Sequence, residues 1–397
     1  MWQPQGVPET PVEADIALVG GGGAASLLLA ALDRHDVTAV KVAVVDPVRK
    51  AGQDRTWAFW DTPGDSALEP LLSAQWPQAD IVTTEGRRTL DLQPLRYAMV
   101  RSGPVYELAA AAEKRLGAVR VTEAVGELEE DGTGVTVRGA DGRELVRAGW
   151  VLDSRPRKPE KPGRTSWVQH FRGWWLEADA PVFDPERAVL MDFRTPQPER
   201  GVSFGYVLPV SATFALVEYT EFSPAVLDDA GYDAGLRAYA ELLGLDLEKV
   251  TVREVEDGVI PMTDAPFEAQ PSARVGRIGT AGGATRPSTG FTFSAMRRQA
   301  EEIALALKDG LPPLPQPAYP RRHLWMDAVA LRAWDRGDVD PVDFFVRLFD
   351  RNPAERVLRF LDGSTTLAED LAVMRSSPLL PMTGAVLGDA KDRLRRL

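Results

Sequence analysis

The sequence contains no cysteine and only three histidines, His35, His170 and His323, in 397 residues. Disulfides, thiolate nucleophiles and cysteine metal sites are therefore excluded, and little imidazole is left for a metal cluster or a serine triad. We expect no metal site. Lysine and arginine (46) are outnumbered by aspartate and glutamate (58), giving a formal charge of −12. Nucleic acid is set aside as a partner, because phosphate binding needs a basic surface. No apolar run reaches the roughly 18 residues needed to cross a bilayer, and the opening MWQPQGVPETPVEA lacks a basic stretch followed by an apolar one. These absences predict a cytoplasmic protein, or one peripheral to the inner face of the membrane. Its chemistry is then left to carboxylates or to a cofactor.

What is present begins with ADIALVGGGGAASLLLA, residues 14–30, after a Pro/Gln/Glu-rich arm over 1–13. Its β-branched and aliphatic run reads as a buried parallel strand. The turn at Gly20–Gly23 then opens a helix with Leu27, Leu28, Ala31 and Leu32 on one face. Unpaired N–H groups at a helix N-terminus attract a pyrophosphate, and side-chain-free residues let it come close. Gly20, Gly22 and Ala25 fit G-x-G-x-x-G/A, and a second strand, VAVVD, ends in Asp46, an acceptor for ribose hydroxyls. The order strand, glycine turn, helix, strand, acid predicts a dinucleotide site; the bland alternative is an ordinary glycine-rich turn.

Downstream, DRTWAFWD (54–61) concentrates Trp57, Phe59 and Trp60, either as core or as a cofactor or substrate wall. Arg101 stands at the mouth of a helix with Pro104 in its first turn and Gly117 as its stop, and is either a phosphate partner or a solvated arginine. Short strands punctuated by Asp131-Gly132 and Asp141-Gly142 follow, then WVLDSRP (150–156). Residues 166–222 read as antiparallel strands rich in aromatics, among them Trp175, Phe204 and Tyr206. These fill a sheet core or suit an elongated apolar ligand. Period two puts Glu218 on one strand face with Phe214 and Leu216, and Glu221 on the other. Buried, Glu218 would hold its proton near neutral pH and could donate it; at an exposed edge it would not.

A helix is expected within 226–249, a strand at VREVEDGVIPM, and then strand, glycine turn and amphipathic helix across 274–307. After a proline-rich link the chain is helical, ending in the basic GDAKDRLRRL, which is either a membrane-surface contact or a solvated helix.

The combination of ADIALVGGGGAA, DRTWAFWD, GYVLPVSATFALVEYTEFS, GVIPM and GTAGGATRPSTGFTF resembles the flavin-dependent lycopene β-cyclases of bacterial carotenoid pathways, over about residues 14–380. QHFRGWW, MDFR and FFVRLFDRNP strengthen the likeness. It implies an α/β (α+β) fold: a Rossmann-like FAD-binding domain of aromatic-hydroxylase type with an inserted antiparallel-sheet substrate domain and a C-terminal helical region. The expected divisions are 14–60, 95–160 and 250–310 for FAD, 61–94 and 161–249 for substrate, and 311–397 for the helices.

The resemblance further implies reduced FAD, primed by NADPH or NADH, and lycopene drawn from a membrane surface, with redox-neutral closure of its ψ-ends to β-rings, giving γ- or β-carotene. Glu218 would be the acid. Gly20, Gly22, Ala25 and Asp46 would hold the ADP half, with Arg101 as a further cofactor candidate, and Gly282, Gly283, Pro287, Thr289 and Gly290 would lie near the flavin. Trp57, Trp175, Phe204, Tyr206 and Glu221 are the substrate candidates. Departures from the family pattern are Arg55, Trp60, Pro156 and Gly279-Thr280, the last where hydroxylases of this fold carry Gly-Asp. A flavin monooxygenase or oxidoreductase acting on an apolar substrate, and a same-family cyclase of another polyprenyl chain, are the rival readings.

Overall fold

Strand β1 (Val12–Val19) runs into the glycine turn and helix α1 (Gly23–Arg34), and the chain returns as β2 (Val42–Val45), parallel to β1. Ile16 to Val19 are completely buried, as a parallel strand covered on both faces requires. The structure is a computed structural model that describes residues 10–64 and 67–376. The basic stretch GDAKDRLRRL and most of the N-terminal arm lie outside the described residues.

Strands β3 (Thr56–Asp61), β4 (Leu72–Trp76), β5 (Gln78–Thr83), β6 (Gly86–Asp91) and β7 (Arg96–Arg101) follow. Strand β7 pairs with β3 and β4 in a three-stranded antiparallel sheet. Its period of two sorts the side chains. Trp57, Phe59, Ala98 and Val100 join the core under α1, whereas Ala58, Trp60, Tyr97 and Met99 join a second core. Helix α2 (Ser102–Leu116) packs on α1, and β8 (Val119–Val121), β9 (Val125–Glu130), β10 (Val135–Gly139) and β11 (Glu144–Asp153) complete the first sheet. Its order is β8-β2-β1-β11-β10-β9.

The antiparallel segment forms β12 (Ser166–Ala178), β13 (Arg187–Asp192), β14 (Val202–Pro209) and β15 (Phe214–Ser223), then α3 (Asp229–Leu242) and β16 (Val250–Thr263). The second sheet has the order β16-β12-β15-β14-β13-β5-β6. Short β17 (Val275–Arg277) returns to pair with β11, and α4 (Phe293–Lys308) packs on α1. The chain ends its described part in α5 (Arg321–Asp335), α6 (Pro341–Asp350), α7 (Ala354–Leu361) and α8 (Leu367–Ser376).

The second sheet is covered on both faces. Helix α3 lays Leu236, Tyr239 and Ala240 against Val207, Val217 and Tyr219. The opposite face packs Phe204, Leu208, Leu216 and Phe222 with Trp334, Phe345 and Leu358 of the C-terminal helices and with Tyr97 and Trp60 of the three-stranded sheet. This is the α/β fold expected: a Rossmann-like unit, an inserted antiparallel sheet and C-terminal helices. No helix among the described residues is long and apolar enough to cross a membrane.

Candidate active site

The first glycine turn presents a free helix end. Helix α1 starts at Gly22 with no side-chain cap, and a Cβ placed on Gly22 would have nothing within 4 Å, so its surroundings are open to a phosphate. Asp46 sits beside it, its Oδ2 accepting the Gly21 N–H at 2.6 Å. Arg120, which sequence reasoning missed, comes up from β8. Its Nη1 lies 3.2 Å from the Cβ position of Gly21 and is buried without a hydrogen-bond acceptor, while Nη2 donates to Glu113. A free helix N-terminus, a carboxylate and a guanidinium with one unpaired nitrogen, Nη1, fit the phosphate and ribose of a dinucleotide. Gly20 takes φ +93 and Ala25 is buried in the first turns of α1.

Arg101 ends β7 and is the N-cap residue of α2. It donates to Glu254, and its guanidinium lies over the Trp175 ring at 4.4 Å. Both partners belong to the second sheet.

The second glycine turn is a single 3-10 turn, Gly279–Gly282, followed by Gly283 in the left-handed region. Thr289 carries a buried hydroxyl with no partner among the described residues. Gly290, at φ +71, brings its backbone so close to β12 that a Cβ would stand 2.0 Å from Gln169 Oε1, itself buried and unsatisfied. The loop packs directly on the sheet here, and these two orphaned groups are the polar atoms that a ligand's donors would satisfy. Arg286 and Ser288, flanking Pro287, bind buried Asp327 of α5 (Nε to Oδ2 2.7 Å, Oγ to Oδ1 2.8 Å), which fixes the loop to the C-terminal helices.

Glu218 lies on the same sheet face as Gln169. Register across β14-β15-β12-β16 aligns Tyr206, Glu218, Gly173 and Glu256 in one row. Gln169 and Gly173 are four residues apart on β12, hence about 13 Å. Gly173 makes room for the acid: a Cβ there would stand 2.8 Å from Glu218 Cγ. Glu218 is 8% exposed and takes no hydrogen bond from any described residue. Burial, first, and then the charge of Glu256 push its carboxyl well above the usual range.

Glu256 differs. Its two oxygens accept the Thr56 backbone N–H at 2.7 Å and the Thr56 hydroxyl at 2.6 Å. Burial raises its carboxyl, and these bonds, with the charges of Arg55 and Arg101, oppose the rise. On the other side of Glu218, the Tyr206 and Tyr97 hydroxyls meet at 2.6 Å, and both phenols are pushed up by burial. Glu256, Thr56, Gly173 and Tyr97 were not picked out from the sequence. Period two in VREVEDGVIPM already sets Glu256 on one face with Glu254 and Gly258, but register alone says that this face meets Glu218.

Trp175, Phe204 and Tyr206 share the Glu218 face. Two other substrate candidates do not. Trp57 stacks on Phe293 (centroids 5.3 Å apart) and fills the space beside Gly23 in the nucleotide-side core; because β3 alternates, Trp60 is the one that reaches Tyr97 and Phe291. Glu221 points under α3, accepting the Tyr219 hydroxyl at 2.7 Å near His170, on the reverse of the sheet. Of the departures, Arg55 donates to the carbonyls of Asp54 and Asp257.

Solved structures of related architecture share this fold at low identity. A geranylgeranyl bacteriochlorophyll reductase-like protein from Thermoplasma acidophilum has a TM-score of 0.64 and 15% identity over 94% of this chain and 99% of its own. A flavoprotein/dehydrogenase from Cytophaga hutchinsonii gives 0.59 and 14% (95% and 100%), and p-nitrophenol 4-monooxygenase from Pseudomonas putida DLL-E4 gives 0.56 and 19% (96% and 98%). No curated protein sequence matches significantly. A family model described as lycopene cyclase protein matches residues 15–387, nearly the whole length. The chain belongs to the lycopene cyclase family.

Proposed function

We propose that this protein is a flavin-dependent lycopene β-cyclase, an intramolecular lyase or isomerase that closes the ψ-ends of lycopene to β-rings without net redox change. The observation that carries the reading is Glu218, a carboxyl buried on a largely apolar sheet face, where burial pushes it well above the usual carboxylate range. FAD is the cofactor that the family and the fold favour. Gly20, Gly22, Asp46 and Arg120 would hold its ADP half, and the loop from Gly282 to Gly290 would hold the ring.

Glu218 donates its proton to the terminal trisubstituted alkene, leaving a tertiary cation; the neighbouring alkene closes the six-membered ring, and return of a ring proton to the Glu218 carboxylate gives the β-end and restores the acid. Reduced FAD, held by the loop from Gly282 to Gly290, would supply negative charge to stabilise such a cation. Trp175, Phe204 and Leu216 lie buried on the same sheet face as Glu218, surroundings that disfavour both quenching of the cation by water and ionisation of the acid. Gly173 sets where the carboxyl lies. A nicotinamide donor would serve only to reduce the flavin, and the polyene would be taken from a membrane surface on which the protein is peripheral.

Expression in bacteria that accumulate red lycopene tests this reading. Extraction of γ- or β-carotene is the expected result. Unchanged lycopene with FAD bound would refute it, and an oxygenated product with stoichiometric consumption of NADPH would place the protein with the flavin monooxygenases.

A further inference from the structure

The mechanism so far leaves one buried group without a task. Glu256 belongs to β16, the edge strand of the second sheet, and shares a row with Glu218 across Gly173. It is only 9% exposed. A carboxyl so placed needs a reason, because burying an acid is costly unless it is hydrogen-bonded. Thr56 satisfies one lone pair on each oxygen. Thr56 begins β3, which belongs to a different sheet, so the contact ties the strand leading into the aromatic wall to the row containing the acid.

We propose that Glu256 is a positioning carboxylate for Glu218: held by Thr56 across Gly173, it carries the negative charge of the pair and so keeps the proton on Glu218. This rests on Glu218 being the acid of the cyclisation. The two carboxyls face one low-dielectric space and cannot both ionise cheaply; the pair titrates as a unit, and the member with donors and cations nearby gives up its proton first. Glu256 has the Thr56 N–H and hydroxyl, and Arg55 and Arg101 act on it from just before β3 and from the end of β7. Glu218 has none of these. Facing it are Glu256 from β16 and the neutral phenols of Tyr206 from β14 and Tyr97 from β7. Glu254, the other acid on this face of β16, is engaged by Arg101.

The test is Glu256→Gln in the FAD-loaded enzyme, since glutamine keeps the size and can still accept from Thr56. Removing the neighbouring charge makes Glu218 easier to deprotonate, so the alkaline limb of the kcat–pH profile should move to lower pH by about one unit. A lowered kcat with an unmoved alkaline limb would overturn the proposal, because a structural role alone predicts that. Infrared difference spectra give a second measurement that does not depend on turnover. The C=O stretch of protonated Glu218, identified by its loss in Glu218→Gln, should persist to higher pH in the wild type than in Glu256→Gln; identical titration in both would overturn it. Glu218→Gln separates the two layers. If that variant still cyclises, the acid assignment fails; if it is inactive and the Glu256→Gln limb does not move, only the role of Glu256 fails.

Discussion

The carboxyl of Glu218 lies in the space that a side chain at residue 173 would need: a Cβ on Gly173 would stand 2.8 Å from Glu218 Cγ and 3.2 Å from its Oε1. The close approach follows from direct cross-strand pairing of the two residues on β12 and β15. Gly173→Ala should therefore push the acid out of its row while leaving both strands intact. We expect cyclisation to fall on the order of 10²-fold, the scale of a misplacement of about 1 Å, with FAD retained. Turnover of lycopene in detergent micelles, alongside the flavin absorbance of the purified protein, checks both halves.

Replacing the acid itself removes the proton donor without removing volume. Glu218→Gln should lose about 10²- to 10⁴-fold in rate, the range of general acid catalysis. Its melting temperature should stay the same or rise, since a neutral amide replaces a carboxyl that burial disfavours as an anion. A variant with near wild-type turnover would exclude Glu218 as the acid.

The first glycine turn separates folding from cofactor binding. Because nothing lies within 4 Å of a Cβ on Gly22, which sits in extended backbone at φ −83, Gly22→Val should cost about 1 kcal/mol or less in stability. Its branched side chain would occupy the approach to the α1 N-terminus, so FAD should be bound at least about ten-fold more weakly. Arg120→Ala should weaken FAD in the same direction. Flavin fluorescence on titrating the apoprotein measures each.

The Tyr97–Tyr206 hydroxyl pair predicts a non-additive double mutant. Tyr206→Phe or Tyr97→Phe alone leaves one buried hydroxyl without its partner, at a cost of about 1–3 kcal/mol. The double phenylalanine variant removes both hydroxyls and should cost less than the sum of the singles. Urea unfolding of the four proteins gives the coupling.

His170 is fully buried on the reverse of the second sheet, bonded to Tyr232 at 2.7 Å and Ser223 at 2.8 Å, and burial pulls its imidazole down to about 4. The unfolded chain takes up a proton near pH 6.5 that the folded one refuses, so this residue costs stability as pH falls from about 6.5 to about 4. In that window the stability of the wild type relative to His170→Asn should decline by about 1.4 kcal/mol per pH unit. Above about pH 7 the difference should be constant. Denaturant unfolding at several pH values checks the slope.

Much of the architecture was legible from local pattern. The strand, glycine turn and helix at 12–34, the helix from Ser102 to its stop at Gly117, and the hairpins at Asp131-Gly132 and Asp141-Gly142 all follow from residue-by-residue backbone preferences. Alternation correctly separated Glu218 from Glu221, and the structure adds that the Glu221 side lies under α3. For DRTWAFWD, alternation gives two faces without saying which core each meets; the structure puts Trp57 against Phe293 and Trp60 against Tyr97 and Phe291.

The sequence by itself determined a nucleotide-type glycine turn, a family, and one glutamate on an apolar strand face. These are properties of neighbours along the chain, where periods of two and 3.6 and the freedom of glycine act directly. Only the tertiary structure decided that Glu218 is buried, that Gly173 yields it space, and that Glu256 and Tyr206 flank it in one row. Burial depends on what packs on that face of the sheet, the three-stranded sheet with Tyr97 among it as well as the C-terminal helices. The row depends on the register of four strands, of which only β14 and β15 are joined by a short turn, and a slip of one residue in any of them would turn its side chain to the other face.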